Sequence, residues 1–181
     1  MFELQREPSV TTMLRDGRVV TIRPLDEADR AALLGFGRAM PQDDLLYLKD
    51  DLASSEMVEQ LVNARFAENW RQFVAATGDL IIGYAAVRRL PGWSSHVAGI
   101  GLIVSAGWRR LGVGTALAQT IFDAARELQA AKLIVEMLEE QCAGRAIFER
   151  LGFGVEGALV KHARDRYDRR HTLIVMAYHV P

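Results

Sequence analysis

The feature that most constrains the fold is the stretch from Val97 to Leu128, where an apolar run gives way to a helical repeat across a glycine-rich turn. Val97 to Val104 is a continuous apolar run of strand length, which is typical of a buried strand. After Gly112 the apolar residues recur at the three-and-four spacing of a helix with one buried face, at Leu117, Ile121, Ala124 and Leu128. The order strand, turn, helix predicts a helix packed on a sheet.

The rest of the chain alternates between the two periodicities. Alternating or apolar runs predict further strands at 18–25, 72–77, 80–88, 132–138, 155–161 and 172–179. Amphipathic spacing predicts helices at about 26–40, 54–65 and 143–151. The pattern therefore indicates a mixed α/β fold with a single central sheet flanked by helices.

Length and composition exclude several classes of protein. The 181 residues predict one domain over residues 1–181, with 1–17 as an N-terminal extension. A net charge of −1 argues against a nucleic-acid partner, and the lone Cys142 excludes an internal disulfide framework and a CxxC metal site. We expect no metal, because no His/Cys/Asp grouping has ligand spacing. The apolar run is too short to span a membrane, and the N-terminus lacks a signal pattern, so we expect a cytoplasmic protein.

The turn between strand and helix carries the clearest chemical signal. Glycines let the backbone approach a ligand closely, and the first N–H groups of a helix attract anions. Arg109 and Arg110 add donors suited to phosphate oxygens. The P-loop pattern fails because Val113 and Gly114 replace its Lys and Ser/Thr. The turn predicts a phosphate or pyrophosphate site, and a plain glycine-softened turn with solvated arginines stays open as the alternative.

Two motifs resemble those of the GNAT (GCN5-related) N-acetyltransferases. Arg109-x-x-Gly112-x-Gly114 resembles the family's pyrophosphate-binding signature, and residues 146–153 resemble its second motif. The resemblance implies the GNAT fold, a mixed and mostly antiparallel sheet flanked by helices, and transfer of the acetyl group of acetyl-CoA directly to a primary amine. It also implies contacts to the coenzyme from Leu102, Ile103, Val104, Arg109, Arg110, Leu111, Gly112, Val113, Gly114, Thr115, Gln141 and Phe148. The strand ending at Val104 would splay from strand 132–138 to admit the pantetheine arm.

The catalytic residues follow less directly from the resemblance. Glu136 is similar to the glutamate base of ribosomal-protein acetyltransferases in the family, and apolar neighbours would raise its pKa; the alternative is a solvent-facing or arginine-paired glutamate. In the family, a tyrosine often acts as the general acid that protonates the departing thiolate, and Phe148 stands in its place here. Gln141 replaces the asparagine that often precedes this tyrosine, and Gly99 stands where many relatives have an acidic residue. Tyr178 and Tyr84 are the candidate substitutes for the missing general acid. His96 and His179 are candidate bases that would act through a water molecule. For all four residues, the alternative is a position in the core, at an interface or on the surface without a catalytic role.

The acceptor and partners are the least constrained part of the interpretation. Loop 40–51 carries four carboxylates, which would favour a cationic amine on a small molecule or a protein, although a solvated polar loop is the alternative. Hairpin 161–170 is net basic, and solvated ion pairs are its expected arrangement. A homodimer is left open. The alternative function is a non-catalytic acyl-CoA-binding or regulatory module, which Phe148 and Gly99 favour.

Overall fold

Eight strands form one sheet in this computed structural model, which describes residues 9–181 without the side chains of Leu45 and Tyr47. The strands are β1 (Val10–Met13), β2 (Val19–Pro24), β3 (Trp70–Thr77), β4 (Leu80–Arg89), β5 (Val97–Val104), β6 (Lys132–Leu138), β7 (Gly154–Arg164) and β8 (Arg170–His179). Their spatial order is β1-β2-β3-β4-β5-β6-β8-β7. Only β5 and β6 pair in parallel among these strands, which confirms the predicted mixed, mostly antiparallel sheet.

Helices cover both faces of the sheet, because the inner strands β3, β4 and β5 are apolar and buried on both faces. The helices are α1 (Arg30–Ala39), α2 (Ser55–Asn63), α3 (Val113–Glu127) and α4 (Cys142–Arg150). Leu117 and Ile121 of α3 are fully buried, and with Phe148 of α4 they form one apolar core with the sheet. Leu33 of α1 and Leu61 of α2 form a second core on the opposite face. No helix of residues 9–181 is long and apolar enough to cross a membrane.

The bounds of β5 and β6 are those predicted from the sequence, and the bounds of α3 differ by one residue at each end. The predicted helix 26–40 is instead a 3-10 turn, Glu27–Asp29, followed by α1. The turn forms because Asp29 accepts the Asp26 N–H and two hydrogen bonds from Arg23 at 2.6 and 2.7 Å. A local charge pair therefore delays the start of α1 to Arg30.

The segment 1–17 contains a strand that the sequence did not predict. β1 pairs antiparallel with β2 at the sheet edge, and residues 1–8 lie outside the described residues. The Arg15 N–H donates to Leu111 O at 3.2 Å, and the Arg18 guanidinium lies 3.8 Å from the ring centre of Trp108. Part of the predicted extension therefore supports the turn before α3.

Candidate active site

Strands β5 and β6 diverge in the middle of the sheet. Their parallel register runs from Val97 opposite Lys132 to Ile100 opposite Val135 and then stops, although both strands continue. On their outer sides the strands stay paired, β5 with β4 and β6 with β8. The result is a fork that is closed at Val97 and opens toward the carboxyl ends of both strands.

The β5 side of the fork presents backbone groups. The Ser105 N–H donates to Ile82 O at 2.9 Å, so Val104 and Gly83 form a non-hydrogen-bonded pair of the antiparallel ladder. By alternation, the backbone groups of Leu102 and Val104 face β6 and those of Ile103 face β4. The backbone groups of Leu102 and Val104 therefore face the gap in which the resemblance would place the pantetheine arm. The backbone groups of Ile103 face β4 instead.

The β6 side of the fork is partly closed by a side chain. The Glu139 N–H donates to Thr172 O at 3.0 Å, and the same alternation turns the backbone of Glu136 and Leu138 toward β5. The Leu138 N–H donates a hydrogen bond to Gln141 Oε1 at 2.7 Å. Gln141, predicted to contact the coenzyme, therefore holds the end of β6 through its side-chain oxygen.

The amino end of α3 follows directly from β5. Gly112 is the N-cap, with φ of 108° and no side-chain cap, and the first intrahelical bond is the one from the Ala116 N–H to Gly112 O at 3.0 Å. The N–H groups of Val113, Gly114 and Thr115 therefore have no partner within the helix, and they lie at its positive end. A β-carbon built at Gly112 would meet nothing within 4 Å. This end of α3 is open to an anion, which fits the diphosphate of acetyl-CoA.

The two arginines of the turn differ from each other. Arg109 donates to Val104 O at 2.9 Å through Nε and to Asp44 Oδ2 at 2.6 Å through Nη2, and Asp44 is buried. Its guanidinium therefore joins the turn to loop 40–51, rather than standing free as predicted for a phosphate donor. Arg110 is exposed, with a left-handed φ of 62°, and Leu111 is half-buried against the core of α3.

Glu136 lies at the mouth of the fork. It is the first residue of β6 beyond the pairing with β5, and it faces away from the α3 core because Val135 and Met137 point into that core. Its Oε2 lies 2.8 Å from Lys49 Nζ, and 23% of its side chain is exposed. The ion pair expected as the alternative is present, with a lysine as the partner instead of an arginine.

Loop 40–51 reaches Glu136 because β5 carries glycine there. A β-carbon built at Gly101 would lie 3.2 Å from Leu48 Cδ2, so Leu48 packs where a larger residue would stand. Gly99, which stands where many members of the family have an acidic residue, lies beside Ile134. Burial raises the pKa of Asp50, and Arg88 and Lys49 oppose that rise.

The aromatic candidates pack in or against the two apolar cores. Phe148 is buried in the core of α3, and its ring meets Phe153 edge-on at 5.2 Å. Tyr178 lies opposite Leu133 at the closed end of the fork, with its ring 5.0 Å from that of Phe122. Tyr84 is 1% exposed, its hydroxyl donates to Gln72 Oε1 at 2.7 Å, and burial raises its pKa. Among the described residues, neither tyrosine hydroxyl is hydrogen-bonded to Glu136.

The remaining candidates are on the surface. His96 is exposed just before β5, and His179 lies opposite Lys132 with its Nε2 3.6 Å from Glu156, so both are at the closed end of the fork. Cys142 is exposed at the first residue of α4, whereas a lone cysteine with no catalytic partner in the sequence favours a buried structural position. Among residues 9–181, no group of three or more His, Cys, Asp or Glu is placed to hold a metal ion.

The carboxylates of loop 40–51 do not act as one cluster. Asp44 is paired with Arg109, Asp43 lies 3.3 Å from Arg166 of the β7–β8 hairpin, and Asp51 accepts the Ala53 N–H. A cavity of about 190 Å³ opens beside them at the end of β6. Its lining includes His171, whose hydrogen bonds to Glu140 and then to Asp165 raise its pKa.

Comparison with known proteins identifies the family. The model of the acetyltransferase (GNAT) family matches residues 42–153. This chain therefore belongs to the GNAT acetyltransferase family, as the two motifs predicted. Among curated proteins, no sequence matches it significantly.

Solved structures of the same fold cover nearly the whole chain. A GCN5-related N-acetyltransferase from Kribbella flavida is 25% identical, with a TM-score of 0.74 over 89% of this chain and 98% of its own. A ribosomal-protein-alanine N-acetyltransferase from Brucella melitensis is 23% identical, with a TM-score of 0.76 over 88% and 99%. A putative acetyltransferase from Salmonella typhimurium, yncA, solved with its cofactor acetyl-CoA, is 18% identical, with a TM-score of 0.75 over 90% and 94%.

Sequence reasoning missed Lys49 altogether, and it missed the partner of Asp44, which it had grouped with the other carboxylates of the loop. Asp44 and Lys49 both come from loop 40–51 and reach partners that are distant in sequence, Arg109 and Glu136. The one signal for this was the pair Gly99 and Gly101, which share one face of β5 and leave space there for another segment. The loop residues that fill the space could not be read from that pattern.

Proposed function

We propose that this chain transfers the acetyl group of acetyl-CoA directly to a primary amine of a small molecule or a protein. The observation that carries the proposal is the fork between β5 and β6 with the open amino end of α3 at its exit. Membership of the GNAT family and the Salmonella typhimurium structure with acetyl-CoA support the same coenzyme.

The residues of the fork divide the work between binding and chemistry. The N–H groups at the start of α3, with Arg110 beside them, would hold the diphosphate. The backbone of Leu102 would pair with the pantetheine arm and polarise the acetyl carbonyl, since it faces the gap where the ladder has ended. Val104 would contribute only its N–H group, because its carbonyl already accepts Arg109.

Glu136 would accept the proton of the acceptor ammonium, directly or through water. A lysine-like amine has an ordinary pKa near 10.4, so presenting it neutral at pH 7 costs about 4–5 kcal/mol. Glu136 is the carboxylate nearest the end of the β5–β6 pairing on β6 itself. Phe148 has no hydroxyl and is buried, so it cannot protonate the departing thiolate. The thiolate would therefore take its proton from solvent or from the protonated Glu136 carboxyl.

A thiol-release assay with acetyl-CoA and a panel of primary amines tests the proposal. We expect turnover on at least one amine, and we expect Glu136→Gln to lower it while coenzyme affinity is kept. The alternative, an acyl-CoA-binding module without activity, is favoured by the buried Phe148 and by the engagement of Arg109 with Asp44. Tight coenzyme binding with no turnover on any amine would support that alternative and contradict the proposal.

A further inference from the structure

The chain already holds a primary amine at its own candidate base. Lys49 Nζ lies 2.8 Å from Glu136 Oε2, and 80% of the Lys49 side chain is exposed. Under the proposed function, an acceptor ammonium would have to stand in this position before it loses its proton. Lys49 therefore occupies the place of the substrate amine, with the chemistry of an unbranched alkylammonium.

The position of Lys49 is set by its neighbours in the fold. Leu48 packs over Gly101 of β5, and on the other side Asp50 is half-buried. Both neighbours are anchored, so the backbone at Lys49 is held next to the mouth of the fork. The segment lies on the face of the sheet opposite α3, and an acceptor would approach Glu136 from that same face.

We propose that Lys49 is a site of self-acetylation on Nζ; this inference rests on the proposed function. The ammonium proton passes to Glu136, and the Nζ lone pair forms a bond to the thioester carbonyl carbon. The carbon–sulfur bond breaks, the nitrogen loses a second proton as the amide forms, and the departing thiolate takes up that second proton. The products are Nε-acetyl-Lys49 and free coenzyme A, so no other reactant is required.

Acetylation would change the mouth of the fork. An acetylated lysine has no charge, so the ion pair with Glu136 would be lost. Glu136 would then be free for an external amine, and the segment from Leu48 to Asp50 would be held by packing alone. Self-acetylation would thus convert Lys49 from an occupant of the acceptor position into a neutral neighbour of it.

The other two lysines of the chain provide internal controls. Lys132 is also in a close ion pair with a glutamate, Glu156, but at the closed end of the fork. Lys161 is exposed on β7. Spontaneous acetylation by the thioester depends on exposure and would label Lys161, whereas reaction at the fork would label only Lys49.

The test incubates the full chain with acetyl-CoA and follows each lysine by peptide mass spectrometry. We expect Lys49 to react at least about 100-fold faster than Lys161, because a held amine reacts at a high effective concentration. We expect its rate constant to be independent of protein concentration. Glu136→Gln should slow the reaction, and Lys49→Arg, which keeps the positive charge beside Glu136, should abolish the added acetyl group.

The outcomes separate this inference from the proposed function. Turnover of an external amine without acetyl-Lys49 would overturn the inference and leave the function standing. Equal labelling of Lys49 and Lys161, or a rate that rises with protein concentration, would also overturn it. A chain that binds the coenzyme and acetylates neither an external amine nor Lys49 would refute both.

Discussion

Replacing Gly112 tests the anion site at the amino end of α3. Gly112 is the N-cap of that helix, its φ is 108°, and the space around its missing side chain is open to 4 Å. Gly112→Asp places a carboxylate there, and Gly112→Asn places a neutral group of the same shape. Both variants carry the strain of a left-handed backbone, about 1–2 kcal/mol, so they differ from each other only in charge.

The charge difference has a calculable consequence. A carboxylate about 5 Å from a diphosphate oxygen costs about 3 kcal/mol per charge pair at an effective dielectric constant of about 20. This corresponds to about a 100-fold loss of coenzyme affinity relative to the asparagine variant. Because the site is open to solvent, we expect the gap between the two variants to narrow as salt is added.

Isothermal titration with coenzyme A measures both affinities, and chemical denaturation of both variants measures the shared strain. We expect equal stabilities within about 0.5 kcal/mol and clearly different affinities. Equal affinities for Gly112→Asp and Gly112→Asn would refute the reasoning, since the added negative charge would then not face a phosphate.

Three further predictions concern the base, the core and the hairpin. Glu136→Gln should lower kcat/KM by about 10²–10⁴-fold at neutral pH and less near the amine's own pKa; an unchanged pH–rate profile would remove Glu136 from the mechanism. Tyr84→Phe should lower the free energy of unfolding by about 1–3 kcal/mol, because Gln72 Oε1 loses its buried donor; an unchanged midpoint in denaturant would contradict this. Hydrogen bonds to Glu140 and Asp165 raise the pKa of His171, so protonated His171 stabilises the fold. This contribution is fully present at pH values below the ordinary histidine pKa near 6.5, and it is lost as the pH rises through the raised pKa of the folded state. The stability difference between the wild type and His171→Gln should therefore shrink from pH 6 toward pH 8 and beyond, and a difference that grows over this interval would contradict the assignment.

Local sequence patterns predicted the elements that build the fork. β5 and β6 are short apolar runs buried on both faces, so their bounds were readable, and α3 has a clear apolar stripe. β1 was missed because three of its four residues are exposed and it has no hydrophobic alternation. Strand pairing at the sheet edge supplies its stability, and a single sequence does not show that pairing.

The contacts that set the site's charges are tertiary and were not predicted. Arg109 is drawn to Asp44, 65 residues away, and Glu136 to Lys49. Such pairs depend on where loop 40–51 crosses the sheet. The glycines of β5 allow the crossing because they leave room for the loop, and local sequence patterns do not show which distant segment fills that room. The sequence therefore predicted the strand, turn and helix around the candidate site, whereas the partners of its charged side chains required the structure.

The most direct test of the proposed coenzyme site is a crystal structure of the chain with coenzyme A. We expect diphosphate oxygens within hydrogen-bonding distance of the N–H groups of Val113 and Gly114, and the pantetheine arm between β5 and β6 beyond Ile100. Coenzyme bound at another surface, with the amino end of α3 free of phosphate, would contradict the assignment of the diphosphate to this helix.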